Sequence, residues 1–288
     1  MKGIDVSVYQ QKIDWTKVKD SGVGFVMVKA SQGGSIKESG INPFPDRFFE
    51  TNVQGASAAG IKCGAYHYLT GTTVEDVKKE ATFFIKTLEQ FRDKIVYPCA
   101  VDIEEQRYTF LSKEQNSLLA KTFCNAVKAA GFLPMLYTNR AFSTYYFDMN
   151  ALLGIDVWFA IYRTPRSKSK KPDDVPAITL WQWSEKGSVD GISGNVDINE
   201  GYFDYGEIQS KIEVGDTVKF KLSAEKYTKN GAKIPDWVKT SFYHVVTKIN
   251  SKNNTVLLGK GINLKTKRTA GGIMTWTDPE NLEMVDEI

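Results

Sequence analysis

Short apolar runs rich in β-branched and aromatic residues recur along the first two-thirds of the chain, at 3–6, 24–30, 61–69, 95–103, 132–138, 157–162, 178–183 and 196–198. Near-continuous apolar runs of this length suit strands covered on both faces. Helical patterns separate most of the early ones. Over 73–91, Val77, Ala81, Phe84, Ile85 and Leu88 fall on one face, with Thr72 or Thr73 placed to cap the start. Over 112–130, Ser112 opens a second helix and Gly131 closes it. Strands alternating with helices predict a parallel sheet under a helical layer, and eight runs suit a closed barrel better than an open sheet. The late runs stand too close together for full helices between them. The expected fold is therefore α/β, an incomplete β/α barrel.

After Tyr205 the texture changes. Short segments at 217–222, 242–249, 255–258 and 272–275 alternate with Lys, Asn and Gly clusters that read as turns. They predict a second, small all-β domain over 212–288 behind a barrel domain over 1–207, with the boundary inside 206–213. No fixed-period repeat is present, which excludes a solenoid.

Composition adds little to this division, but charge adds something. A net charge of +3 over 288 residues is too small for a nucleic-acid binder. Residues 211–288 hold 13 Lys and Arg against 9 Asp and Glu, leaving 24 against 25 in 1–210. A basic second domain suits an anionic partner such as a wall polymer, although a solvated charged face is the commoner reason for such an excess. The three cysteines, Cys63, Cys99 and Cys124, lack C-x-x-C spacing and read as small buried apolar residues. With His67 and His244 as the only histidines, no zinc-hydrolase motif can be assembled, and no metal or cofactor is expected. No long apolar run predicts a membrane span. No signal-peptide pattern opens the chain, so synthesis in the cytoplasm is expected, with any extracellular target reached after release by another agent.

Candidate chemistry concentrates at 95–105, an apolar strand ending in Asp102-Ile-Glu104. Strand side chains alternate, so Asp102 and Glu104 share one side and one environment. At a barrel mouth, mutual repulsion and partial desolvation would hold a proton on one carboxyl while the other stays ionised, as cleavage of a glycosidic bond requires. Taken alone, an Asp and a Glu at a strand end are better explained as solvated loop residues. Two further acids weigh against that: Asp5 ends the first apolar run and Asp197 lies in the last. The carboxyl ends of parallel barrel strands converge on one rim, where these four acids would meet. Aromatic residues collect at the same ends, on Tyr66, His67 and Tyr68, on Tyr137, on Trp158 and Tyr162, and on Trp181 and Trp183. Flat rings of this kind stack on sugars, although for any single one core packing is the commoner role.

Taken in order, Gly3-Ile-Asp-Val-Ser7, Val28-Lys-Ala-Ser-Gln-Gly33, Gly64-Ala-Tyr-His-Tyr68, Val101-Asp-Ile-Glu104, Trp181-Gln-Trp183 and Gly194-Asn-Val-Asp-Ile-Asn199 resemble glycoside hydrolase family 25. The likeness covers roughly residues 1 to 205. It implies a lysozyme-type N-acetylmuramidase of the kind found in phage endolysins and bacterial autolysins, built on five β/α units followed by three strands. It further implies Glu104 as general acid, Asp102 as positioning or stabilising group, and Asp5 and Asp197 completing an acidic floor. Tyr66, Tyr137, Tyr162, Trp181 and Gln182 would line the sugar groove, with Lys29 as a polar contact. Gln32 stands where many relatives carry Glu, which puts any accessory role of that position in doubt. The implied partner is the peptidoglycan of a Gram-positive wall, with release through a holin if the gene is a phage's. The second domain, through Val214-Gly-Asp-Thr-Val218 and Ile234-Pro-Asp-Trp-Val238, resembles the small Src-homology-3-like wall-binding modules of clostridial phage lysins, with Trp237, Tyr243 and Trp276 as candidate surface residues.

Two other readings compete. A chitinase-like glycosidase would extend the motif upstream as D-x-D-x-E, but position 100 is Ala100. An inactive wall-binding lectin would have lost an acid, and all four are present. Peptidase readings lack parts. Gly55-Ala-Ser-Ala-Ala59 misses the second glycine of a nucleophile elbow, and Cys63 and His67 lie about 13 Å apart along a strand.

Overall fold

The computed structural model describes residues 1–34, 42–162, 172–205, 212, 214–228, 230–250, 253 and 255–285. The chain divides into two compact units, Met1–Gly206 and Glu207–Ile288. Of the boundary segment expected over 206–213, Ile212 alone lies among the described residues.

The first unit runs β1 (Lys2–Val6), α1 (Trp15–Asp20), β2 (Phe25–Gln32), β3 (Phe44–Pro45), α2 (Phe49–Ala58), β4 (Lys62–Tyr68), α3 (Val74–Glu89), β5 (Ile95–Asp102), α4 (Lys113–Ala129), β6 (Pro134–Asn139), β7 (Asp156–Ala160), β8 (Ile178–Gly187) and β9 (Val196–Gly201). Neighbours from β1 through β8 pair in parallel, apart from the two-residue β3, which adds antiparallel to the end of β2. The last strand, β9, is antiparallel to both β8 and β1 and closes the ring. The fold class is the one expected, an α/β barrel joined to a small all-β unit. Its incompleteness lies in the helical layer, since β6 is followed by a five-residue π turn, Phe142–Tyr146.

Helix ends follow the predicted chemistry. Thr73 caps α3 by accepting the Asp76 N–H, and Ser112 caps α4 in a reciprocal box with Gln115. Gly131, at φ +80°, ends α4 in the left-handed conformation that costs glycine nothing. On α3 the buried stripe is Val77, Glu80, Ala81, Phe84 and Leu88, with Ile85 at its margin. A glutamate inside an apolar stripe is unusual and is taken up below.

Strand alternation builds two cores. Outward residues, such as Ile4, Val26, Val28, Cys63, Ala65, Cys99 and Val101, pack under the helices. Inward residues Phe25, Met27, Tyr97, Met135, Trp158 and Leu180 fill the barrel. Filling is tight enough that a Cβ on Gly3 would strike the Phe25 ring. All three cysteines are buried and free.

The second unit comprises β10 (Thr217–Phe220), α5 (Asp236–Thr240), β11 (Phe242–Asn250), β12 (Thr255–Asn263), β13 (Thr269–Thr277) and β14 (Leu282–Met284). The strands form one antiparallel sheet in the order β13-β12-β11-β10-β14. Val218, Phe220, Ile234, Val238, Val246 and Leu258 are its core. The terminal strand β14 and the helix α5 are additions to the four segments read from the sequence.

Candidate active site

Above the apolar filling, the inward positions turn polar. Asp5 of β1, Lys29 of β2, Tyr66 of β4, Asp102 of β5, Tyr137 of β6, Gln182 of β8 and Asp197 of β9 line a cavity of about 220 Å³, with Glu104 two residues beyond the end of β5. All four predicted acids therefore meet. Asp197 arrives by a different route from the one expected. Because β9 runs antiparallel, the rim receives its beginning rather than its end, and Asp197 pairs in register opposite Asp5.

Trp181 is a correction. It lies next to Gln182 on β8, and adjacent strand residues cannot both face the lumen. Gln182 points in; Trp181 is buried outside the cavity, its Nε1 donating to the Ile161 carbonyl at 3.0 Å. His67 likewise points outward between Tyr66 and Tyr68, and Trp183 packs against the outer core. Tyr162 is half-exposed and reaches the site through its hydroxyl.

Two side-chain amides organise the floor. Trp158 Nε1, which can only donate, gives its hydrogen to Asn199 Oδ1 at 2.7 Å. That orientation turns the Asn199 NH2 onto Asp5 Oδ2, at 2.7 Å. Tyr137 and Tyr162 donate to Gln182 Oε1 at 3.1 and 3.0 Å, so the Gln182 NH2 faces Asp5 Oδ2 at 2.9 Å and Asp197 Oδ2 at 3.4 Å. Rings that read as sugar platforms thus also set the hydrogen-bond polarity of the acids.

Burial raises the pKa of Asp5 well above the carboxylate range, and the charge of Asp197 adds to it, against the two amide donors. Asp102 is raised well above that range too, first by burial and then by Glu104, with Lys29 opposing. Glu104 is raised by desolvation, then by Asp197, again against Lys29. Glu104 keeps the most open surface of the four, so water screens its interactions most. Asp197 is raised by desolvation as well. Four acids in one concavity cannot all ionise together, and the cluster retains a proton above the ordinary carboxylate range.

Lys29 is the cation among them. Its Nζ donates to Gln32 Oε1 at 2.8 Å and stands 4.9 Å from the Tyr68 ring centroid. Burial lowers its pKa, while Asp102, Asp46 and Glu104 act to raise it. A neutral acceptor at position 32 leaves the lysine charge directed at the acids. One further feature points toward a ligand: Asp102 Oδ1 is buried and accepts no hydrogen bond from the described residues.

Tyr68 and Trp158, marked in the sequence only as strand-end aromatics, and Asn199 belong to the site as well, and strand parity carries the signal. Tyr68 shares the face of Tyr66, and Asn199 that of Asp197. The rim residues Ser7, Tyr9 and Gln10 also line the cavity, on a turn that no periodicity marks.

A family model described as "Glycosyl hydrolases family 25" matches residues 4–192. The uncharacterized protein YegX of Escherichia coli O157:H7 is 30% identical over 203 residues, 68% of either chain. The autolytic lysozyme of Clostridium acetobutylicum is 32% identical over 201 residues, 69% of this chain and 55% of that one. Among solved structures, the spore cortex lytic enzyme SleM of Clostridium perfringens covers 99% of this chain and 88% of its own, with TM-score 0.63 and 20% identity, a likeness of fold.

Proposed function

This chain belongs to glycosyl hydrolase family 25, and from that premise we propose that it is a muramidase cleaving the β-1,4 bond between N-acetylmuramic acid and N-acetylglucosamine in peptidoglycan. The observation that carries this reading is the convergence of Asp5, Asp102, Glu104 and Asp197 on one cavity, with raised pKa values and amide donors aimed at the floor.

In this reading Glu104 delivers a proton to the glycosidic oxygen as the bond to the anomeric carbon breaks. The open Oδ1 of Asp102 suits the acetamido N–H of an N-acetyl sugar. An N–H arriving there stabilises ionised Asp102 and so places the proton of the coupled pair on Glu104, where the leaving group needs it. The same contact orients the acetamido oxygen as an internal nucleophile. In the Asp5–Asp197 pair Asp5 is the more strongly raised, so the negative charge under the developing oxocarbenium ion rests on Asp197. Tyr66, Tyr137 and Lys29 border the sugar, and Gln182 and Tyr162 keep the floor in register. Digestion of purified peptidoglycan with analysis of the new reducing ends tests the reading. Muramic acid ends are expected; glucosamine ends would assign a glucosaminidase.

The second unit we assign to wall attachment, as in an endolysin or autolysin of a Gram-positive target. Supporting this are its separate core, its basic balance, and the exposure of Trp237 and Trp276. Residues 1–207 alone are expected to fold and to cleave soluble fragments like the full chain, while sedimentation with intact cells falls about tenfold or more as the second attachment point is lost. Unchanged sedimentation would place wall binding in the barrel.

A further inference from the structure

The glutamate inside the apolar stripe of α3 is part of a wholly buried polar cluster behind the cavity. Ser31, His67 and Glu80 each have 0% exposure. Ser31 Oγ lies 2.8 Å from His67 Nδ1, and His67 Nε2 lies 2.6 Å from Glu80 Oε2. Burial lowers the pKa of His67, which favours the neutral ring. A neutral ring that donates from Nε2 to Glu80 accepts the Ser31 hydroxyl at Nδ1. The order Ser–His–Glu is that of a hydrolytic triad, but no member reaches solvent and no substrate could approach Ser31.

What the cluster does hold is backbone. Glu80 Oε1 accepts the Gly71 N–H at 2.6 Å and Oε2 accepts the Thr70 N–H at 3.2 Å. Gly33 lies against the same carboxyl so closely that a Cβ there would overlap Glu80 Oε2 and Thr70 Oγ1. The loop held in this way grips the strand end that carries the acids. Leu69 N donates to the Asp102 carbonyl at 2.9 Å, Arg107 Nη1 to the Thr70 carbonyl at 3.0 Å, and the buried Tyr108 hydroxyl to the Gly71 carbonyl at 3.1 Å. Glu104 therefore sits in a short span pinned on both sides, at Asp102 and at Arg107–Tyr108, to the stretch 69–71, two of whose residues, Thr70 and Gly71, are held by Glu80.

We propose that Glu80, which never meets the substrate, is a positioning residue for Glu104, acting through the backbone of Thr70 and Gly71 and the hydroxyl of Tyr108. The proposal rests on Glu104 being the general acid. Misplacing a catalytic group by about 1 Å can cost on the order of 10²-fold in rate, so the anchor should be visible in turnover.

The test measures kcat, KM and the pH–rate profile of the full chain on soluble peptidoglycan fragments for Glu80→Gln, Tyr108→Phe and Val127→Ala. In Glu80→Gln the amide turns an N–H toward backbone donors. Tyr108→Phe removes one hydroxyl and keeps the ring, so it decides the matter if Glu80→Gln does not fold. Val127 of α4 is buried, takes part in none of these bonds, and controls for lost stability alone. Expected are losses in kcat of about tenfold for Glu80→Gln and about threefold for Tyr108→Phe, with KM nearly constant. Both should also move the alkaline limb to lower pH, because a displaced Glu104 loses part of its burial and of its proximity to Asp197 and Glu105, which together outweigh the opposing pull of Lys29. Val127→Ala should lower the unfolding temperature and leave kcat and the limb in place. Turnover and limb position in Tyr108→Phe indistinguishable from those of Val127→Ala would overturn the proposal. Glu104→Gln measured alongside separates the two ideas. Activity retained there sinks the general-acid reading and the proposal with it, whereas an inactive Glu104→Gln beside a fully active Tyr108→Phe sinks the proposal alone.

Discussion

Glu104→Gln is expected to lower turnover on peptidoglycan fragments by at least about 10²-fold while leaving the fold intact, because the amide matches the carboxyl in size but has no proton to give. The side chain is exposed at the cavity mouth and lies past the end of β5, so its replacement removes no core packing. Circular dichroism and thermal unfolding should match the parent. Binding of fragments should persist, since the amides, Lys29 and the tyrosines are untouched. A variant that keeps more than about a tenth of parent turnover, outside the range for losing a general acid, would remove Glu104 from the role.

Asp102→Asn is the second substitution with a large expected effect, and its signature is in the pH profile. Asp102 is raised chiefly by burial and Glu104 by partial desolvation in the cavity mouth, and Glu104 is the leading charge acting on Asp102. Both directions favour retention of a proton by the pair above the ordinary carboxylate range, and the alkaline limb is expected to mark its loss. With Asn at 102 the repulsion that retains this proton is gone, so the alkaline limb moves to lower pH. Activity falls as well, by about tenfold or more, as the ionised acceptor for the substrate amide gives way to a neutral amide oxygen. Asp197→Asn should shift the limb the same way, since Asp197 is the leading charge on Glu104. The sign follows from the direction of the shifts: a carboxyl raised by a neighbouring anion deprotonates earlier once that anion is neutralised. Initial rates across pH for the three proteins check this, and a limb that stays or rises in Asp102→Asn would separate Asp102 from the proton.

The sequence alone determined the barrel's long strands and the cap of α4, narrowed the cap of α3 to Thr72 or Thr73, and drew attention to the four acids that the structure brings to one cavity. These features are local: apolar runs declare buried strands, Thr73, Ser112 and Gly131 carry their own capping chemistry, and Asp102 and Glu104 share a face by parity. Parity likewise sets Trp181 and Gln182 on opposite faces of β8. Tertiary structure decided the rest. The reversed direction of β9 brings Asp197 opposite Asp5, and closure of the ring turns Trp158 and Asn199 into an orienting pair for Asp5. Glu80 is invisible to periodicity because a charge within an apolar stripe reads as an interruption. It becomes intelligible only where His67, Thr70 and Gly71 converge on it from a strand and a loop. Burial of a carboxylate is favourable only when its hydrogen bonds are supplied, and here the donors come from segments that the fold, not the neighbouring sequence, brings together.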